Sequence, residues 1–361
     1  MASQAPRVIV IGAGIIGCST AYYLAHKGAT VTLVDRDADP SPTSRAALGV
    51  LAHAHGGNDA LSCFYRDAHA LHESLAARLY TETGIDVGWQ PLGGLDLAFD
   101  DDDASRLRQL ITFNQDRGAE AHWLDPALLR ASEPELSPTA LGGALFPQDA
   151  RVDPVRLAAA LLAAASALGA SRRTASVVTS LTRDDAGVDC TVADSTGERV
   201  ERYDAAVVTT GPWVGELVPD VHVRPVRGQS GRFVGVQTRH VVRWGNGQAV
   251  NDGTQMLIGA TVEEVGFDLS TTAAAASELM AWGRRVFMRP PSLVQMSAGL
   301  RPKPRRGRPV IAALEGSGPL YVATGHYKNG VLMGPLTGKV VARWIIDGSP
   351  GRDMSPFTVE R

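Results

Sequence analysis

Apolar and polar positions along the chain fall into distinct patterns whose order suggests an architecture. The run Val8-Ile9-Val10-Ile11 lacks polar alternation, as a strand buried on both faces requires. After a glycine cluster, Cys18 to Lys27 is apolar at helical spacing until Gly28 stops it, and a second apolar run ends at Asp35. This opening reads as a βαβ unit. Asp37 to Asn58 is rich in Pro, Ser and Gly and reads as loop, available for ligand contact. A helical pattern over Ala60 to Glu82 leads to Gly93–Phe99, which alternates as a half-buried strand should. Asp153-Pro154 supplies an N-cap with a first-turn proline for a helix that Gly169 closes. Tyr203 to Gly211 reads as a buried parallel strand ending in small residues, and Pro225 to Ile311 holds alternating segments around one helical stretch, Thr271 to Val286. Leu320–Gly325 is again strand, His326–Gly330 a turn, and a helix follows to about Asp347.

These patterns predict an α/β protein: a Rossmann-like βαβ nucleotide domain with an inserted, sheet-based substrate domain. The nucleotide domain is expected at 1–92, 142–223 and 299–361, and the inserted one at 93–141 and 224–298. With 361 residues, two packed domains suit the length.

The glycines Gly12, Gly14 and Gly17, with Ile15 and Ile16 between them, form a tight strand-to-helix turn whose backbone can approach a pyrophosphate resting on the helix N-terminus. Asp35 stands 18 positions after Gly17, where its carboxylate accepts hydrogen bonds from ribose hydroxyls and repels a 2′-phosphate. Together they point to a dinucleotide containing adenosine. A glycine turn without ligand is the competing reading, and it leaves Asp35 unexplained.

A net charge of −3 gives no reason to invoke nucleic acid, and the basic cluster Arg301 to Arg308 is short. The apolar stretch Leu157 to Leu168 is too short and alanine-rich to span a bilayer, and the N-terminus lacks a signal-peptide pattern, so no membrane association and a cytoplasmic location are expected. Cys18, Cys63 and Cys190 lie far apart, without disulfide or zinc spacing. His53 and His55 alternate at strand spacing; packing or a hydrogen bond to cofactor is the preferred reading over metal binding.

With a second glycine-rich strand-turn-helix near its C-terminus, the chain resembles the D-amino-acid oxidase superfamily, and within it the glycine oxidases that use FAD. The likeness runs from Arg7 to about Asp347. It is carried by Ile11 to Tyr23, Leu48-Gly49-Val50-Leu51, Gln148 to Pro154, Val207 to Trp213, Pro225-Val226-Arg227-Gly228, Ile258-Gly259-Ala260-Thr261, Ala298-Gly299-Leu300-Arg301-Pro302 and Gly325-His326-Tyr327-Lys328-Asn329-Gly330.

The resemblance implies noncovalent FAD, since no cysteine stands where monomeric sarcosine oxidases attach their flavin. Adenosine is expected at Asp35 and Arg36. The rest of the cofactor is expected among Thr43, Ser44, Arg45, Leu48, Gly49, Val50, Val178, Thr210, Gly211, Trp213, His326, Tyr327, Lys328, Asn329, Gly330, Val331 and Leu332. The N-terminal amides of the last helix would face the flavin pyrimidine and stabilise negative charge there. Arg301 occupies the place of the family's carboxylate-binding arginine, and a guanidinium matches a carboxylate with two charge-assisted hydrogen bonds. No general acid or base is assigned.

Three positions depart from the family pattern. Gln248, in the shortened segment Trp244 to Val250, replaces a substrate-facing tyrosine; Lys328 stands where an arginine is frequent; Arg45 replaces a small residue. A roomier pocket follows, suited to an N-substituted (N-carboxymethyl) glycine as well as glycine. The expected products are glyoxylate, an amine and, with molecular oxygen as acceptor, hydrogen peroxide. Other readings are a D-amino-acid dehydrogenase passing electrons to quinone, a noncatalytic FAD-binding subunit of an amine-oxidising complex, and a nicotinamide dehydrogenase. Homo-oligomerisation stays open.

Overall fold

The first strand, Arg7–Ile11, lies inside a six-stranded sheet because its residues from Val8 onward have no solvent-facing side. Its neighbours are Ala205–Val208 on one side and Thr30–Val34 on the other, all three parallel. Ser171–Arg173 extends the sheet beyond Thr30–Val34; Leu320–Thr324 and the antiparallel edge Val310–Ala313 extend it the other way. The computed structural model describes residues 5–38, 41–52, 57, 59–316 and 318–359. His53 and His55 fall outside them.

One face of this sheet is covered by the helices Ile15–His26, Pro154–Ala167 and Gly330–Asp347, with Ala60–Thr83 packed outside them. The first and last of these approach closely: a Cβ on Gly338 would lie 2.5 Å from Ser19 C. The other face packs on an antiparallel sheet, Val177–Asp184, Gly187–Asp194 and Gly197–Tyr203, through Ile9, Ile11 and Val208 against Val188, Cys190 and Val192.

An eight-stranded sheet forms the second body, in the order Ser292–Pro304, Val223–Val234, Met256–Gly259, Gly247–Asn251, Val241–Trp244, Gly94–Ala98, Gly142–Phe146 and His122–Leu124. Three expected boundaries fall at strands of this sheet, 223/224 lying just inside Val223–Val234. Gly142–Phe146 pairs with Gly94–Ala98 within it, and Ser292–Pro304 runs unbroken across 298/299. Chain order alone does not reveal that pairing, because the partner strand lies more than forty residues earlier. Phe233, Trp244, Ala249 and Ile258 pack with Leu279 and Val286 of the helix Ala273–Val286. The segment Pro42–Leu48 docks on the opposite face: Ser230 Oγ donates to Ala46 O at 2.8 Å, and a Cβ on Gly299 would lie 2.7 Å from Thr43 Cα. Among the described residues no helix is long and apolar enough to cross a membrane.

Candidate active site

A cavity of about 560 Å³ occupies the crevice where the chain leaves the C-terminal ends of Arg7–Ile11 and Ala205–Val208 in opposite directions. That is where a sheet of this topology takes ligands. Gly12, Gly14, Ile15 and Ile16 line one wall. Gly12 has φ +102°, and a Cβ there would fall 2.7 Å from Thr209 O. Thr209 Oγ1 in turn donates toward the Ile11 and Gly12 carbonyls at 2.8 and 2.9 Å, tying the two strand ends together. A Cβ on Gly17 would lie 1.8 Å from Gly12 O, so the turn closes only without a side chain. Gly14 differs: its absent side chain would meet nothing within 4 Å. Its open side belongs to the cavity.

At one end Asp35 accepts the Ala13 N–H at 2.5 Å through Oδ2 and the Asp37 N–H at 2.8 Å through Oδ1. A carboxylate has further lone pairs, so Asp35 braces the turn and still has acceptor capacity. The Arg36 guanidinium stacks 3.8 Å above the Trp213 ring centroid. Thr43, Ser44 and Arg45 form part of a second wall, with the Thr43 hydroxyl donating to Leu300 O at 3.0 Å. Towards the other end stand Thr210, Gly211, His326, Tyr327 and Gly330. His326 is buried, and desolvation pushes its pKa down to about 3, so the ring is neutral. Its Nε2 lies 3.0 Å from Thr337 Oγ1, while Nδ1, like Thr210 Oγ1, is buried without a partner among the described residues. Buried polar atoms on a cavity wall call for a ligand that satisfies them.

Arg301 lies beyond the cavity's lining, although Leu300 and Pro302 on either side of it contribute. Its guanidinium rests on Gly228, where a Cβ would sit 2.0 Å from Nη2, and Nη1 donates to Thr261 O at 3.0 Å. Burial lowers its pKa, and among the described residues it forms no ion pair with a carboxylate. Strand register puts Gln248 opposite Gly259, Gly259 opposite Ser230, and Ser230 opposite Ser297, two positions from Gly299 and four from Arg301. Paired residues share a face, so Gln248 and Arg301 face the docked Pro42–Leu48 segment together. A two-residue turn at Gly245-Asn246, with Gly245 at φ +44°, closes this hairpin. Lys328 is largely exposed; partial burial of its amine, then the charges of Arg301 and Lys303, lower its pKa.

Val178 also lines the cavity, whereas Gly17, Leu48, Gly49, Val50, Lys328, Asn329, Val331 and Leu332 do not. Gly49 is needed for packing, since a Cβ would lie 1.8 Å from Val152 O; Asn329 Nδ2 donates to the Tyr65 hydroxyl at 2.8 Å; Leu332 O faces His72 Nε2 at 2.9 Å. Sequence reasoning missed Thr209, Ser176, Glu216 and Leu269 in the lining. Only Thr209, beside the predicted Thr210, carried a local signal. Among the described residues no group of His, Cys, Asp or Glu could hold a metal.

A glycine-lined crevice at the reversal of strand order, with an acid at the end of the second strand, defines a dinucleotide-binding oxidoreductase fold, and the comparisons with known proteins narrow it. The family model of FAD dependent oxidoreductases matches residues 7–344, and the chain belongs to that family. It is 30% identical to the glycine oxidase of Geobacillus kaustophilus over 98% of this chain and 96% of that protein. The crystal structure of glycine oxidase from Geobacillus kaustophilus superposes with a TM-score of 0.92 at 27% identity, covering 99% of both chains. Iminodiacetate oxidase from Chelativorans sp. BNC1 superposes with a TM-score of 0.87 at 26% identity, covering 98% of this chain and all of the other. The expected family, fold class and FAD dependence hold. The residues present fit that cofactor: the open side of Gly14, the spare acceptor capacity of Asp35, and the orphaned Thr210 Oγ1 and His326 Nδ1 all border the cavity.

Proposed function

We propose that this amine-oxidising flavoenzyme oxidises the C–N bond of glycine or an N-substituted glycine. The observation that carries the reading is Arg301, a desolvated guanidinium resting on Gly228 with no carboxylate at ion-pair distance among the described residues. Such a group wants a planar anion, and a glycyl carboxylate supplies one. FAD, when bound, accepts hydride from the carbon next to the amine. The chain's own residues orient: Arg301 takes the carboxylate, and the Gln248 face supplies a polar wall where a larger N-substituent has room. Cofactor binding is assigned to the Gly12–Gly17 turn, Asp35, Arg36, the 43–45 segment and the Thr210 and His326 regions. Hydride loss from the glycyl methylene leaves an imine that water converts to glyoxylate and the free amine; oxygen as acceptor yields hydrogen peroxide. The likeness to iminodiacetate oxidase supports the N-substituted arm of this reading.

The test is anaerobic bleaching of the flavin absorbance by glycine, sarcosine, several D-amino acids, iminodiacetate and bulkier N-carboxymethyl amino acids. Fast bleaching by N-carboxymethyl compounds supports the widened pocket; bleaching by glycine or sarcosine alone narrows the substrate to small amines. No bleaching by any of them overturns the reading in favour of a noncatalytic subunit or an unrelated amine substrate. Two charge-assisted hydrogen bonds at roughly 1.5–3 kcal/mol each imply that Arg301→Ala raises KM at least ~100-fold with flavin content unchanged.

A further inference from the structure

Arg227 is 4% exposed, yet it binds two carboxylates from a single segment of chain. Nη2 lies 2.6 Å from Glu263 Oε2, and Nη1 lies 2.5 Å from Asp268 Oδ2 and 3.0 Å from Ser270 O. Glu263 also accepts the Thr261 hydroxyl at 2.5 Å and Gln229 Nε2 at 2.8 Å. Burial alone would raise the Glu263 carboxyl, but the hydrogen bonds from Thr261, Arg227 and Gln229 outweigh it and hold the group below the usual range, ionised. Thr261 is pinned from both sides, its N–H donating to Gln229 O at 3.1 Å and its Oγ1 accepting the Gln229 N–H at 2.9 Å. The carbonyl of this same residue receives Arg301 Nη1.

The network therefore ends on the guanidinium that the proposed function uses. We propose that Glu263, clamped by Arg227, is a positioning residue: by fixing Thr261 it sets the orientation in which Arg301 receives the substrate carboxylate. This rests on the reading of Arg301 as that anchor. Glu263 need not touch substrate. Its role is geometric, and a misplacement of about 1 Å at an orienting group is worth up to ~100-fold in rate or binding.

The experiment is a double-mutant cycle on the FAD-loaded full chain with Glu263→Gln, Arg301→Ala and the pair, reading KM, kcat and competitive inhibition by acetate, a carboxylate without an amine. Glu263→Gln is expected to raise KM and the acetate inhibition constant about tenfold, with kcat within about twofold and flavin content unchanged. In the Arg301→Ala background the same change should add less than about twofold, because its effect passes through Arg301. Arg227→Lys, which keeps the charge but loses the planar fork, reads the same clamp if Glu263→Gln fails to accumulate, and should raise KM alike. Equal effects of Glu263→Gln in both backgrounds, or a fall in kcat with KM unmoved, overturn the positioning role alone. An Arg301→Ala enzyme with unchanged KM overturns the anchor, and the positioning role with it.

Discussion

Alanine at position 14 separates the needs of the fold from those of the cofactor. Gly14 has φ −69° and ψ 179°, a conformation any residue adopts, and a Cβ there would meet no protein atom within 4 Å. The chain itself should tolerate Gly14→Ala. Reduced freedom of the unfolded chain stabilises by about 0.4–1 kcal/mol, and the poorer helix N-cap offsets about 0.7 kcal/mol, so the two nearly cancel. On the proposed placement of FAD the outcome changes, because the added methyl would project into the cavity that the cofactor fills. Overpacking of this kind costs about 1–3 kcal/mol, or roughly fivefold to 150-fold in affinity. Thermal unfolding with and without added FAD is the assay. At a cofactor concentration about 100 times the parent Kd, binding contributes about 2.7 kcal/mol; a 100-fold weaker variant retains only about 0.4 kcal/mol. For a chain this long, each kcal/mol moves Tm by roughly 2 °C, so a parent shift of about 5 °C should shrink to about 1 °C. Gly17→Ala is the contrasting control, since its Cβ would lie 1.8 Å from Gly12 O and should destabilise the chain even without FAD. If Gly14→Ala keeps both the parent Tm and the parent FAD affinity, the cofactor does not pass the open side of Gly14.

Three further outcomes follow from the geometry. Asp35→Ala removes the acceptor for the Ala13 and Asp37 amides and for ribose hydroxyls, and should weaken FAD binding by about 100-fold or more, measured by flavin fluorescence recovery; an unchanged Kd would refute its cofactor role. Gly228→Ala would place a Cβ 2.0 Å from Arg301 Nη2; the guanidinium end can swing away, so the protein should fold with KM raised about tenfold, and a parent-like KM would deny that Arg301 must lie on this backbone. His72 is buried and neutral, its pKa lowered to about 4 by desolvation, with Nε2 2.9 Å from Leu332 O. A base depressed in the folded state lets the unfolded chain bind more protons as pH falls below about 6.5, so stability drops by about 2 kcal/mol between pH 8 and pH 5. His72→Gln should flatten that part of the urea-midpoint profile, and an unaltered slope would contradict the assignment.

The glycine turn and Asp35 were legible because each belongs to one local unit whose spacing is set by a strand, a turn and a helix. Arg301 was legible only through resemblance: nothing in its neighbours announces that Gly228 leaves room for its guanidinium. That Gln248 shares a sheet face with Arg301 depends on register across four strands, which alternation within one strand does not encode. Arg227 and Glu263 stand 36 positions apart, and each alone reads as an ordinary charged residue. That Gly142–Phe146 joins the same sheet as Gly94–Ala98 was not legible, because the pairing is a contact decided in three dimensions. Leu269 reaches the cavity from a loop, next to Asp268 and its contact to Arg227, a placement that local pattern does not carry.

The cavity draws its walls from the Gly12 turn, the Thr209–Trp213 segment and the Thr324–Gly330 turn, which lie near the beginning, middle and end of the described chain. During synthesis the glycine turn and Asp35 are complete early, yet the pocket lacks a side until Leu320–Thr324 has added itself to the sheet. Cofactor capture thus has to await the residues up to Gly330, and a ligand in the cavity would then fasten together segments that no short stretch of backbone joins. A cofactor filling this cavity would touch both Gly12 and Gly330, and so hold to each other parts of the chain that were made far apart in time.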